Sequence, residues 1–403
     1  MAVIAPLPAL RYDRARVGDL RAVIAPPYDV ISPAQQEALY ARSPWNVVRL
    51  ILARDPDRAA ASARTLREWV AGGVLRRDGS PALYRYAQTF ALPDGAVRTR
   101  EGVICRLRLE DFSSGIVRPH ERTLPGPKKD RLAVMRATGA HLSPIFGLYA
   151  APGTRLADVL GPAAAPDVDV TEEGGERHRL WRITDAAAIA RLQAALAPET
   201  IVIADGHHRY ETALAYRDEL GGAGSSGSVL AFLCSMDDPG LVVLPTHRLV
   251  RGPLSCPADA LVERLGERFA VAPLPSAPRA GGEIDLLLPD RRLRLRAGPE
   301  AHAALAHLPA AVRGLDLSLL HGAILGPILG VEVDALAFTH DDAEAAAAVE
   351  RGEAAAAFCL NAPTLAAVRA VCMAGELMPE KSTYFYPKLA SGLVFDLVGP
   401  PWI

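Results

Sequence analysis

Asp205-Gly206-His207-His208-Arg209 puts a carboxylate, a glycine, two imidazoles and a guanidinium side by side in the chain. The β-branched run Ile201-Val202-Ile203-Ala204 before it reads as a buried strand. Tyr210 to Tyr216 after it reads as a helix. The first turn of a helix carries unpaired N–H groups and the positive end of the dipole. Glycine lets the backbone approach a ligand there, and phosphate is the usual guest. Gly206, His207, His208 and Arg209 therefore read as an anion site, best suited to the phosphates of a nucleotide. Asp205 can hold a histidine tautomer or a metal-bound water. Glu211 shares a helix face with both histidines.

A second cluster is Arg118-Pro119-His120-Glu121, followed by Pro125-Gly126-Pro127-Lys128-Lys129-Asp130-Arg131. Pro127 suits a helix start, and Lys128 and Lys129 then oppose the dipole. Bound phosphate would offset that conflict. His120 and Glu121 precede it in a loop, where a general base is readily aimed. A third stretch, Met378-Pro379-Glu380-Lys381-Ser382-Thr383-Tyr384-Phe385-Tyr386-Pro387-Lys388, combines aromatic rings, hydroxyls and lysines. It suits a wall that stacks a ring and grips an anion, with Lys381 and Tyr384 as binding candidates. It lacks the glycines of a Walker loop. In Pro26-Pro27-Tyr28-Asp29-Val30, Tyr28 and Asp29 are loop residues able to face a ligand. Pro245-Thr246-His247-Arg248 adds another His-Arg pair with a candidate lining role. Asp237 and Asp238 read as turn formers.

The chain has 44 basic residues, of which lysine accounts only for Lys128, Lys129, Lys381 and Lys388. Lysine's compact, mobile ammonium is not reproduced by arginine's planar fork. Its confinement to two short stretches marks both as functional.

The elements that must position these residues follow from local pattern. Ser32-Pro33-Ala34-Gln35 is a capping box with proline at the first helical position, predicting a helix over 33–41. Val47 to Leu52 reads as a strand. Asp57 to Val74 reads as an amphipathic helix with Leu66, Trp69 and Val70 inward. Hairpins are expected around Pro93-Asp94-Gly95, around Gly174-Gly175, and between 229–236 and 241–250. From about Gly252 the texture becomes richer in Ala, Leu and Arg. Helices are predicted near 257–268, 315–329, 341–351 and 363–374, with strands near 284–288, 335–340 and 354–360. The fold class is mixed α/β, with a core over 1–250 and a C-terminal α/β domain over 251–403. The stretch 377–398 is a candidate to return to the core.

At 403 residues, half of them apolar, the chain can bury a large core. A net charge of -2 gives no footprint for nucleic acid. No apolar run spans a membrane, and the N-terminus lacks the blocks of a signal peptide. The five cysteines are scattered and form no C-x-x-C pair, which suits reduced thiols in a cytoplasmic protein.

Pro26 to Ile31, Pro119-His120-Glu121-Arg122-Thr123, Asp205 to Tyr210 and Lys381 to Lys388 together resemble the bacterial and archaeal family called domain of unknown function 1015. That resemblance spans nearly the whole chain and names no activity. The strand, the Gly-His-His-Arg turn and its helix are also similar to the phosphate-binding motif of the ParB and sulfiredoxin-like superfamily, which includes free-serine kinases using ADP or ATP. This second resemblance covers only the core. It implies a nucleotide-binding core and a phosphate role for Gly206, His207, His208 and Arg209. It does not fix the acidic base. Glu121 is the candidate from its own position, with His120 and Asp205 beside it as catalytic candidates.

The expected activity is phosphoryl transfer from ATP or ADP, with Mg²⁺ held through water by Asp205 or Asp29, to a small hydroxylated metabolite such as free serine. Lys128 and Lys129 would help neutralise the phosphates. A nucleotide-binding switch without turnover, and a metal-dependent phosphoesterase using Asp205, His207, His208 and Glu211, are the alternatives. ParB-like DNA clamping is not expected without a basic face. Sulfiredoxin-like chemistry is not expected without a cysteine beside the motif.

Overall fold

A computed structural model describes residues 1–121, 125–150, 155–222 and 224–400. The side chains of 125–128 and 334 are outside that description. The chain forms two units. Unit 1 is Met1–Pro119, Thr123–Leu241 and Pro387–Ile403; unit 2 is His120–Arg122 and Val242–Tyr386.

In unit 1 the strand-forming runs assemble one large mixed sheet. Its strands are β1 (Ile4–Ala5), β2 (Leu83–Ala91), β3 (Val97–Arg108), β4 (Val117–Arg118), β5 (Ile145–Tyr149), β6 (Val168–Thr171), β7 (Arg177–Ile183), β8 (Ile201–Asp205) and β9 (Ser228–Ser235). The order is β4-β8-β5-β9-β3-β2-β7-β6, with β1 on β3. β8 runs parallel to β4 and β9 parallel to β5; the other neighbours are antiparallel. The hairpins at 93–95 and 174–175 are as the turn residues predict. Ile201, Ile203, Ile145, Leu233, Val103 and Tyr210 meet in the core beneath the sheet. The sequence thus specifies the mixed α/β class through its alternation and turn chemistry.

Helix α1 (Pro33–Arg42) begins at its predicted cap, and α2 (Arg58–Ala71) lies within the span expected for it, ending three residues short of Val74. Both halves of the Ser32–Gln35 capping box are formed, and Asp57 caps α2. Leu66 and Trp69 of α2 are buried. Helices α3 (Pro125–Thr138), α4 (Ala186–Leu196) and α5 (His207–Glu219) complete the described longer helices of unit 1.

Two expectations need correction. Val48–Ile51, expected as a strand, is a short helix. Asn46 overrides its β propensity: Asn46 Oδ1 accepts from Val48 N at 3.0 Å, while its amide donates to Ala22 O and Ile24 O. The predicted hairpin across 237–240 does not exist. Asp238 closes the turn there by accepting from Gly240 N at 2.8 Å, and the chain leaves unit 1 at Leu241. Val242–Leu244 pairs instead with Tyr384–Tyr386.

The segment from Pro387 is laced into unit 1. Asp396–Leu397 pairs with Ala140–His141, Phe395 exchanges hydrogen bonds with Leu10, and Ser391 does so with Ala25. Fully buried Asp396 receives Arg106 through two bonds of 2.8 and 2.7 Å.

Unit 2 holds a six-stranded sheet built from β10 (His247–Val250), β11 (Phe269–Pro273), β12 (Glu283–Leu287), β13 (Arg292–Ala297), β14 (Leu336–Thr339) and β15 (Ala356–Cys359). The order is β11-β13-β12-β15-β10-β14. Helices α6 (Ala258–Gly266), α7 (Asp342–Glu350) and α8 (Leu365–Met373) lie where the sequence places them, and a π-helix runs over Leu320–Leu329. Among the described residues no helix is long and apolar enough to cross a membrane.

The Arg106–Asp396 pair supplies a direct test of the tail. Asp396→Ala strands a largely buried guanidinium and should cost about 3–5 kcal/mol, read by urea unfolding. Arg106→Met combined with Asp396→Leu should cost clearly less than that single change.

Candidate functional site

Asp205 ends β8, so the site lies at the carboxyl edge of a strand, where ligands of α/β sheets gather. Gly206 follows with φ +89°, a left-handed conformation that side chains resist. A Cβ here would also lie 2.9 Å from Arg209 Nε and 3.0 Å from its Cζ. Glycine is thus demanded by the turn, and a Cβ here would also displace the guanidinium folded against it. Helix α5 starts at His207 with no side chain capping it. Tyr210 anchors the first turn: its hydroxyl donates to Glu110 O at 2.7 Å and accepts from Glu110 N at 2.9 Å.

Asp205 is 14 % exposed and is met by two cations. Its Oδ2 accepts from Arg209 Nη2 at 2.5 Å, and its Oδ1 accepts from Lys388 Nζ. Arg209 also donates to Pro144 O. Burial by itself would raise the carboxyl's pKa. The charges of Lys388 and Arg209 overcome this and hold it well below the usual carboxylate range. Two cations on one carboxylate leave an excess positive charge beside the uncapped helix start.

Tyr28 joins this neighbourhood, lying under the Arg131 guanidinium at 4.2 Å from the ring centre. Burial raises its hydroxyl's pKa, as does Asp29, whereas Arg209 and Arg131 pull it back. Tyr28, Arg131, His141, Ser143, Arg209 and Thr212 line a cleft of about 60 Å³. Among the described residues the buried Thr212 hydroxyl in that wall has no hydrogen-bond partner. Ser143 is hydrogen-bonded to Ser391 of the tail at 2.7 Å. The tail therefore fixes both Lys388 and the loop that carries Tyr28.

The candidate residues divide between the units. Unit 1 brings together Asp205, Gly206, Arg209 and Tyr28, with His207 buried and His208 and Glu211 half-buried on α5. Asp29 is exposed in its loop. Lys129 is exposed on α3, and the Lys128 side chain lies outside the described residues, as do Arg122, Thr123 and Leu124.

Unit 2 carries His120, Glu121, Lys381 and Tyr384. His120 is buried, its Nε2 2.7 Å from Thr383 Oγ1, and Glu121 bridges to Met378. Lys381 is exposed and has φ +55°, the only positive φ outside glycine among the described residues. Its carbonyl accepts from Arg248. Tyr384 stacks on His340 with ring centres 3.5 Å apart.

Lys388 reaches Asp205 from the far end of the chain. The scarcity of lysine pointed to its stretch, but not to its partner 183 positions away. The donor set does not fit a directly bound Mg²⁺ at Asp205, since both oxygens are taken by side-chain cations. Among the described residues, Asp205, His208 and Glu211 form no cluster of metal-ligating atoms.

The fold and site define a mixed α/β protein with a cationic helix start at a strand's carboxyl end. The family model described as "Protein of unknown function (DUF1015)" matches residues 4–318, and the chain belongs to that family. No curated protein matches it. Among solved structures it is similar to a conserved hypothetical protein from Pyrococcus furiosus, at 18 % identity and TM-score 0.37, over 70 % of this chain and 92 % of that one. It is similar to a free serine kinase in complex with AMP at 17 % identity and TM-score 0.34, over 69 % and 89 %. It is similar to C-terminally truncated SbnI from Staphylococcus aureus at 11 % identity and TM-score 0.37, over 70 % and 84 %. Likenesses of this depth assign no activity.

Two substitutions test the geometry. Gly206→Ala must adopt a left-handed turn and push Arg209 aside, which should cost at least about 1–2 kcal/mol by urea unfolding. Asp205→Asn should cost about 3 kcal/mol at neutral pH. Because the folded pKa is depressed, this stabilisation is full above the unfolded value near about pH 4. It is lost as pH falls toward the folded pKa. Wild type and Asp205→Asn should therefore converge in stability in strong acid, and a gap unchanged by pH would contradict the assignment.

Proposed function

We propose that the protein binds ATP or ADP by its phosphates at the start of α5 and transfers a phosphoryl group to a small hydroxylated metabolite, with free serine the favoured acceptor. The observation that carries this reading is the charge balance at Asp205. One carboxylate faces Arg209 and Lys388 beside an uncapped helix N-terminus, an arrangement that favours an anion. The motif's similarity to ParB and sulfiredoxin-like cores supports a nucleotide as that anion.

Phosphoryl transfer is mainly positioning and charge stabilisation. His207, His208, Arg209 and Lys388 would supply the charge, with Lys128 and Lys129 as further cations. Glu121 is the proposed base toward the acceptor hydroxyl, and no step is routed through Mg²⁺. A nucleotide-binding switch without turnover is the second reading. It is favoured by Asp205 itself, a carboxylate held by two cations and so poorly placed to serve as a base.

The test is incubation with ATP or ADP and free serine, assayed for phosphorylated product. Glu121→Gln should lower turnover by about a hundredfold or more while nucleotide binding persists. Full turnover in that variant would remove Glu121 from the base role. Binding without product in the wild type would favour the switch, and absence of nucleotide binding would overturn both readings.

A further inference from the structure

Unit 2 contains a second polar site, independent of the nucleotide reading. A cavity of about 300 Å³ opens beside β10, at the small end of the roughly 300–1,000 Å³ range of ligand pockets. Arg248 and Thr246 line it, and they are 1 % and 3 % exposed. Every hydrogen-bond acceptor that Arg248 meets among the described residues is a backbone carbonyl. Nη1 donates to Thr246 O, and Nη2 donates to Glu380 O and Lys381 O at 3.1 and 3.0 Å. Among the described residues its Nε–H has no hydrogen-bond partner, nor has the Thr246 hydroxyl. The guanidinium lies over Phe338, 5.4 Å from the ring centre. His321, close enough to feel it, is kept neutral, its pKa pushed down to about 4 by burial and then by that guanidinium.

The nearby charge of Glu121 offsets only part of what burial costs the Arg248 guanidinium, no carboxylate is hydrogen-bonded to it among the described residues, and a buried unpaired hydroxyl is costly too. Both belong to one cavity, and the backbone is bent to serve it: Lys381 takes a strained φ while its carbonyl holds Arg248 in place. The same cavity offers one carboxylate. Asp316 is fixed there by accepting from Gly282 N at 2.8 Å and from Asn361 Nδ2 at 2.7 Å. Leu315, Leu317, Leu360 and Met378 supply apolar wall between these poles. A cation, a carboxylate and apolar surface in so small a space match one chemistry, a compact zwitterion with a side chain.

We propose that this cavity binds a free α-amino acid, its carboxylate on Arg248 and Thr246 and its ammonium on Asp316. The hydroxyl of Thr246 and the Nε–H of Arg248 are unpaired but closed over as they stand, and a small shift of the wall would present them to that carboxylate. Met378 and the leucines take the side chain.

The experiment is calorimetric titration of the intact protein with each of the common α-amino acids at millimolar concentration, without nucleotide. Three proteins are compared: wild type, Thr246→Val and Ala367→Leu. Ala367 lines the cavity on α8, and the larger side chain fills it. At least one amino acid should bind the wild type. Affinity should fall about tenfold in Thr246→Val, the loss expected for one hydrogen bond to a charged group, and should vanish in Ala367→Leu. Thr246→Val should unfold no earlier than wild type, because the hydroxyl it removes has no partner to lose. Absence of binding by every amino acid, or binding undiminished in both variants, would overturn the proposal. So would binding of inorganic phosphate at this cavity in place of any amino acid. Nucleotide binding in the same variants should be unchanged, so the two readings fail separately.

Discussion

The carboxylate of Asp205 holds the first unit's site together. It ends a buried strand, and it gathers Arg209 from the helix that follows and Lys388 from the far end of the chain. Neither cation would be stable in this half-buried place alone. The carboxylate in turn stays ionised only because both are there. The glycine after it is required by the left-handed turn, against which Arg209 folds. The tail that brings Lys388 is anchored by its own buried ion pair, Arg106 with Asp396, and by the bridge from Ser391 to Ala25. Stability of the tail and electrostatics of the site are therefore linked.

Arg106, which is half-buried, and Arg248, which is buried, make an instructive contrast. Arg106 has a carboxylate aligned with its fork and forms a complete structural unit. Arg248 is more deeply buried, is held by carbonyls, and keeps an unused donor beside a cavity. The first arrangement is closed chemistry, and the second has room for an anion. A similar logic applies at Asp205, where two positive charges face one negative charge.

Much of this was legible in the chain. The Ser32–Gln35 capping box, the glycine-marked hairpins and the β-branched strand before Gly206 all encode their structures locally, and the histidine-arginine run marked its own helix start. What sequence hid was non-local. Val48–Ile51 has strand-forming residues but follows a turn held by Asn46, whose amide partners lie 22 and 24 positions away. The strand Arg292–Ala297 alternates arginine with leucine, and its charges mask its place in a sheet. Arg294 and Arg296 are stabilised by Asp285 and Glu283 across the sheet, which only the register reveals. The pairing of Lys388 with Asp205 was likewise out of reach. The rarity of lysine flagged the residue, but only the returning tail gives it a partner.

The central claim is that the start of the Gly206 helix takes nucleotide phosphates. Its most direct test is thermal unfolding of the intact protein against ATP, ADP, CTP and GTP, for wild type and Arg209→Ala. A ligand that binds only the folded state, at about a hundred times its dissociation constant, adds roughly 2.7 kcal/mol. ATP or ADP should raise the midpoint by several degrees in the wild type and leave Arg209→Ala unmoved. No shift with any nucleotide, or an equal shift in the variant, would contradict the claim.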